Sequence, residues 1–257
     1  MNNVKELLKN NIVAFGLVIS FAWVVSSFVL ASGITNINKR DTISVTGTAE
    51  KMVESDAGKW TFTISKQAIP ENYTYISKQL GDARALTVKY LLSHGVTEKS
   101  ITVQPLTSTV VCQSQNQVMY DGFGRQQCSG SFAYSIVQTI IVESDDVKMI
   151  KDLSLNAVNA LANNGVQIQT TSVDFFYTKL ASIRAEMLED ASKNAKERAV
   201  AIAKSTGSKI GGVKDASQGV FQVTQRNSTD VSDYGSYDTS TIDKKVTAVV
   251  RASFEVK

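Results

Sequence analysis

Lys59-Trp-Thr-Phe-Thr-Ile-Ser65 alternates strictly, with Trp60, Phe62 and Ile64 on one face and Thr61, Thr63 and Ser65 on the other. A period of two is the pattern of a strand buried on one side only. Directly after it the period changes. Pro70-Glu71 opens a helix of about 22 residues, in which Tyr73, Ile76, Leu80, Ala83, Tyr90 and Leu91 recur at three-and-four spacing before Gly95 stops it. A half-buried strand that feeds an amphipathic helix predicts a sheet covered by helices.

The pattern continues outward in both directions. Upstream, Thr42-Ile-Ser-Val-Thr-Gly-Thr-Ala49 has strand composition, with Gly47 where a bulge or a close backbone approach fits. Downstream come a strand from Ile101 to Cys112, a polar loop, and a strand from Ser131 to Val142 that sets Phe132, Tyr134 and Ile136 against Ala133, Ser135 and Val137. A second helix begins near Asp145-Asp146, whose charges suit the positive end of the dipole. Its stripe is Ile150, Leu153, Ala157 and Leu161, and it ends at Asn164-Gly165-Val166. The first helix closes with His94-Gly95-Val96, so a helix, Gly-Val, strand unit occurs twice.

A third helix, about Leu180 to Ser205, departs from that unit by ending at Thr206-Gly207. In it Ala191, Ala195, Ala199 and Ala203 recur every four residues beside Leu180, Ile183, Met187 and Ile202. Such a row either packs inside one monomer or forms a subunit contact. A strand follows around Ile210 to Val223, and Val246 to Val256 is a long alternating strand for which a hairpin of the first two strands is the expected neighbour. Between these two strands, Gln225 to Thr241 is polar and aperiodic, which reads as a mobile loop or, through Tyr234 and Tyr237, as a contact for a partner. With two prolines and no Gly/Ser linker, residues 42–257 are expected to form a single α+β domain of antiparallel sheets and three long helices.

Ahead of that body, Asn10 to Asn38 carries no charged side chain and Ile12 to Ile34 is almost continuously apolar. About 20 such residues cross a bilayer core of roughly 30 Å, so 12–34 is expected to be a single N-terminal transmembrane helix, with 1–11 a short cytoplasmic N-terminus and 35–41 a juxtamembrane linker. The competing reading is a cleaved secretory signal ending at Ala31-Ser32-Gly33, against which the length of the apolar run argues. Lys5 and Lys9 before the span and Lys39 and Arg40 after it orient it only weakly.

Cys112 and Cys128 are the two cysteines, at the ends of strands flanking a Gln/Asn/Gly-rich loop. A hairpin would set them opposite each other, and a disulfide there, taken with the anchor, places the body outside the reducing cytosol, on the extracytoplasmic side; two free thiols in a cytosolic domain are the other reading. Of 27 basic and 24 acidic residues, the first 40 positions hold four and one, which leaves 23 of each and no net charge on the body. Nucleic acid is therefore not an expected partner.

Chemistry is hard to find in this chain. His94 is the sole histidine, which excludes a histidine triad or a multi-histidine metal site. Glu186, Glu189 and Asp190 have lysines nearby and read as surface charge, and Gly211-Gly212 forms neither a P-loop nor a dinucleotide fingerprint. No catalytic, cofactor-binding or metal-ligating residue is expected.

The order of several short features resembles the SIMPL-domain (DUF541) family: Ile43-Ser-Val-Thr-Gly-Thr-Ala-Glu50 with Asp56, the Gly95-Val96 and Gly165-Val166 junctions, and the stretch Ala185 to Gly212 with Asp190-Ala191, Ala195, Arg198-Ala199, Ala203, Gly207 and Ile210-Gly211. The resemblance implies an α+β body at a periplasmic or surface address in the bacterial envelope, self-association into large assemblies, and a link to oxidative-stress physiology without an agreed reaction. It leads to the expectation of a non-enzymatic, inner-membrane-anchored scaffold that forms homo-oligomers. A binding module for an envelope protein, peptide or small ligand is the alternative.

Overall fold

The computed structural model describes residues 16, 19–29, 42–113, 118–124, 126–230 and 232–257. Its strands are β1 (Thr42–Glu54), β2 (Ala57–Ala68), β3 (Ile101–Val103), β4 (Thr107–Cys112), β5 (Val118–Tyr120), β6 (Gln126–Cys128), β7 (Phe132–Ser144), β8 (Ile168–Phe176), β9 (Ile210–Gln218), β10 (Gln222–Gln225) and β11 (Asp243–Val256). Three long helices, α1 (Tyr73–Ser93), α2 (Val147–Ala162) and α3 (Leu180–Ser205), lie between them. The class is α+β with antiparallel pairing, as expected.

The chain divides into two compact units, residues 48–191 with 218–249, and residues 1–47 with 192–217 and 250–257. β1, α3 and β11 each contribute residues to both. The sequence lacks any linker at the division because the division runs through regular elements, not between them.

In the larger unit, β7 pairs with β2 along its length, β2 pairs with β8, and β3 and β4 both pair with β7 on its other side. The alternation that predicted β2 is realised: Trp60, Phe62 and Ile64 are buried and the intervening Thr61, Thr63 and Ser65 are half-buried. Ile136, Ile140 and Val142 of β7 complete the core with Leu80 and Leu91 of α1 and Ile150, Leu153, Ala157 and Leu161 of α2. Burying a side chain of the leucine or phenylalanine size contributes about 1.5–3 kcal/mol. Helix α2 lies so close to the sheet that a Cβ on Gly58 would stand 3.1 Å from the Ile150 Cβ. Asp146 caps α2 by accepting the Met149 N–H at 2.9 Å, which gives the acid read from the sequence a specific task.

The smaller unit has a lighter core, in which Ala195 and Ala199 of α3 meet Ala252 and Phe254 of β11, with Ile43, Val45 and Ile210 at the edge. Here β9 runs hard against β11: a Cβ on Gly211 would sit 2.9 Å from the Glu255 Cβ, so no larger residue fits without moving a strand. Arg198 ties α3 to β1 by donating to the Thr46 carbonyl at 2.8 Å.

One expectation needs correction. β1 and β2 do not form a hairpin beside the closing strand: β1 neighbours β11, while β2 belongs to the other sheet. The third helix lacks the Gly-Val junction, as expected, but closes in the same geometry as the first two. Val96, Val166 and Ser208 donate to the carbonyls of Leu91, Leu161 and Ala203, and Gly95, Gly165 and Gly207 have φ of +89°, +77° and +76°. All three are the same left-handed glycine closure, and only the residue after the glycine differs.

Of the apolar stretch 12–34, residues 16 and 19–29 are helical, and the rest, like 1–11 and 35–41, lies outside the described residues. No helix among the described residues is long and apolar enough to cross a membrane. In the described part, Ser20 and Ser27 turn their hydroxyls back onto the Gly16 and Trp23 carbonyls at 2.7 Å, while Phe21, Trp23 and Phe28 are exposed.

Candidate interaction surface

β4 is the most exposed strand of the larger unit. Every residue from Thr107 to Val111 is exposed, on both faces, and β7 is the only strand it pairs with among the described residues. Beyond it the chain forms a small hairpin, β5 with β6, whose Met119, Tyr120 and Phe123 are exposed, Phe123 to 85 %. With Leu106, Val110 and Val111, this arm carries six large apolar side chains exposed to solvent. An unpaired strand edge with apolar neighbours is a template for another chain.

The arm is stapled. Cys112 and Cys128 form a disulfide with a Cα separation of 5.4 Å. They are not cross-strand partners, as the hairpin reading had them: Cys112 faces Phe132 of β7 and Cys128 faces Val118 of β5, so the bond joins the large sheet to the small hairpin. Closing a loop of this length removes about 3 kcal/mol of chain entropy from the unfolded state. Replacing both cysteines with serine is expected to lower the unfolding free energy by up to that amount, read from denaturant titration, and to speed amide exchange in 118–128 more than in β2.

The polar segment 225–241, the second stretch read as a loop, is firmly tied where the sequence is most polar. The Phe175 N–H donates to the Thr239 carbonyl at 2.7 Å, the Val223 N–H to the Ser236 carbonyl at 2.7 Å, and the Asp238 N–H to the Val223 carbonyl at 2.8 Å. This run therefore links β8 to β10. Tyr237 belongs to that seam: its hydroxyl donates to the Tyr177 carbonyl and accepts the Tyr177 N–H, each at 2.9 Å. Tyr234 is different, being 97 % exposed and free for a partner.

Lys244 is the centre of the knot. It is fully buried, and its Nζ donates to the Asp238 carbonyl and the Thr241 carbonyl at 2.6 Å and to the Asp238 carboxylate at 3.1 Å. Burial alone would raise the Asp238 pKa, but hydrogen bonds from Ser240, Thr241 and Lys244 outweigh it and hold the carboxyl far below its usual range. All three ammonium donors are thereby used, which makes this group structural.

The alanine row is buried within the chain: Ala191, Ala195 and Ala199 have no exposed surface and Ala203 has 1 %. Its methyls pack inside the chain and present no surface for a second copy. His94 folds back against its own helix, its Nδ1 2.8 Å from the Tyr90 carbonyl and its ring 4.1 Å from the Tyr90 ring. Glu186 pairs with Lys51 at 2.7 Å on the surface. Asp56 has a positional role, accepting the Thr178 N–H at 2.7 Å; burial pushes its carboxyl up, and Thr178 and Lys179 together bring it below the ordinary value. Among the described residues no three His, Cys, Asp or Glu side chains gather to hold a metal.

Two sheets flanked by helices, with the Gly-Val junctions and the alanine helix in this order, define a SIMPL-type α+β body. The family model described as SIMPL, protein of unknown function (DUF541), matches residues 43–254, and the chain belongs to that family. No curated protein matches it.

Proposed function

We propose that this SIMPL-domain protein is anchored in the bacterial inner membrane by residues 12–34, holds its body in the periplasm, and assembles with copies of itself into a ring- or cage-like, non-enzymatic envelope scaffold that serves envelope or oxidative-stress defence. The observation that carries the assembly reading is β4, a strand exposed on both faces and paired, among the described residues, with β7 alone, with exposed apolar side chains beside it. Leaving such an edge uncovered invites indiscriminate pairing, so a specific partner is the economical explanation for its retention. A membrane tether raises the local concentration of bodies, so that modest contacts suffice to close a ring. The uncharged run 10–38 supports the anchor, and the Cys112–Cys128 bond supports a compartment where disulfides persist.

Light scattering on full-length protein in detergent is expected to give a discrete high-mass particle, and Val110→Lys, a charge placed on the open edge, is expected to shift it toward monomer. A wild-type monomer at micromolar concentration sinks the scaffold reading. The alternative, a binding module, is favoured by a separate observation, a cavity beside α1.

A further inference from the structure

The core face of β7 reads Phe132, Tyr134, Ile136, Gln138, Ile140, Val142, and one member does not belong. Gln138 sits opposite Ile64, is only 5 % exposed, and donates from its amide nitrogen to the Gln104 carbonyl at 3.1 Å. Since a carbonyl can only accept, that bond fixes the amide orientation and leaves the Gln138 Oε1 as an acceptor with no protein partner among the described residues.

Gln138 lines a cavity of about 490 Å³ closed on one side by Ser77, Gly81 and Arg84 of α1 and on the other by Val103, Gln104, Pro105 and Leu106 of the β3–β4 junction. Ser77 is a second idle group. Elsewhere in α1 and α2 hydroxyls fold back on their own helix, as Thr87 does onto the Ala83 carbonyl and Ser154 onto the Lys151 carbonyl. The Ser77 Oγ is buried and has no hydrogen-bond partner among the described residues. Arg84, at the same helical stripe, has no ion pair among the described residues. Gly81 keeps the wall open, because a Cβ there would meet nothing within 4 Å.

We propose that this cavity binds a carboxylate carried by an N-acylated apolar amino acid, the chemistry of a peptide's free C-terminal end. Arg84 pairs with the carboxylate, the Ser77 hydroxyl donates to it, the Gln138 Oε1 accepts the amide N–H, and Val103, Pro105 and Leu106 take the apolar side chain. The volume is in the range of small-molecule sites, and the mix of an apolar wall with a few unspent polar groups is their usual make-up. The site is independent of the scaffold reading: it stands whether or not copies assemble.

The test is ligand-observed saturation-transfer NMR on full-length protein in nanodiscs, with N-acetyl-leucine as probe. Binding is expected with Kd on the order of 1 mM, as suits so small a ligand. N-acetyl-leucinamide, which lacks the carboxylate, and the Arg84→Gln protein are each expected to bind at least tenfold more weakly. Gly81→Leu fills the cavity without strain, is expected to raise the melting temperature, and abolishes binding. Tighter binding of acetyl-Ala-Ala-Leu identifies a peptide terminus as the source, and equal binding identifies a free acyl amino acid. No saturable binding of either, or binding unchanged in folded Arg84→Gln and Gly81→Leu proteins, overturns the proposal.

Discussion

Lys244→Ala is expected to destabilise the chain by about 3–5 kcal/mol, because it removes one partner of a buried ion pair and strands the other. Three acceptors converge on the Lys244 Nζ, two of them carbonyls of the segment that links β8 to β10. Without the ammonium the Asp238 carboxylate keeps its bonds from Ser240 and Thr241 but loses its countercharge. The double variant Lys244→Met with Asp238→Asn is expected to recover part of the loss, since a neutral replacement of the whole pair avoids the stranded charge. Denaturant unfolding of Lys244→Met, Asp238→Asn and the double closes the cycle. Additive losses would show that the lysine and the aspartate act separately.

The same pair sets a pH dependence. Asp238 is held far below its unfolded value of about 3.9, so its contribution is complete above that pH and fades as the pH falls toward the folded value. Acidification from pH 5 to pH 3 is therefore expected to lower the denaturation midpoint of the native protein more than that of Asp238→Asn. Equal slopes would remove Asp238 from the account.

Trp60→Ala is the second large effect, expected at about 3–5 kcal/mol. Trp60 is fully buried, its ring stacks on Phe62 at a centroid distance of 4.1 Å, and its Nε1–H donates to the Thr171 Oγ1 at 2.8 Å, tying β2 to β8. Most of the loss is cavity and lost contact; Thr171→Val isolates the hydrogen bond and is expected to cost about 1–3 kcal/mol, the penalty of an idle indole donor. A Trp60→Ala loss no larger than that of Thr171→Val, measured by thermal melting, would mean that the core collapses around the gap.

The regular elements were legible because their signals are local. Trp60, Phe62 and Ile64 announce β2 without help, and the α2 stripe from Ile150 to Leu161 is buried as its spacing requires. α3 was legible to both ends, since the glycine that stops it acts on adjacent residues. What failed was long-range. Nothing near Ser55 says that β1 and β2 part into different sheets, a decision made by β11 some 190 residues later. The strand expected over 101–112 splits into β3 and β4 around Pro105, which a stricter reading of the proline as a ladder breaker would have found.

The candidate surface was half visible. The cysteine pair was readable from spacing, but its partners across the ladders were not, because the small β5–β6 hairpin has no periodic signal. Segment 225–241 reads as mobile since it is low in apolar residues, yet Asp238, Thr241 and Lys244 hold it through polar bonds that hydropathy does not register. Gln138 did leave a trace, as a polar residue between Ile136 and Ile140 on the core face of β7.

The three-segment make-up of the smaller unit bears on biosynthesis. Residues 42–47 emerge from the ribosome early, but 192–217 and 250–257 that complete their unit come some 150 and 200 residues later. Until β11 has been made, β1 has no strand to lie against and the chain must wait with that edge bare, a delay that favours holding by chaperones. A ribosome stalled before Asp243 would leave β1 and β10 without their β11 partner, while the strands and helices of the larger core, from β2 to β8, have already been made.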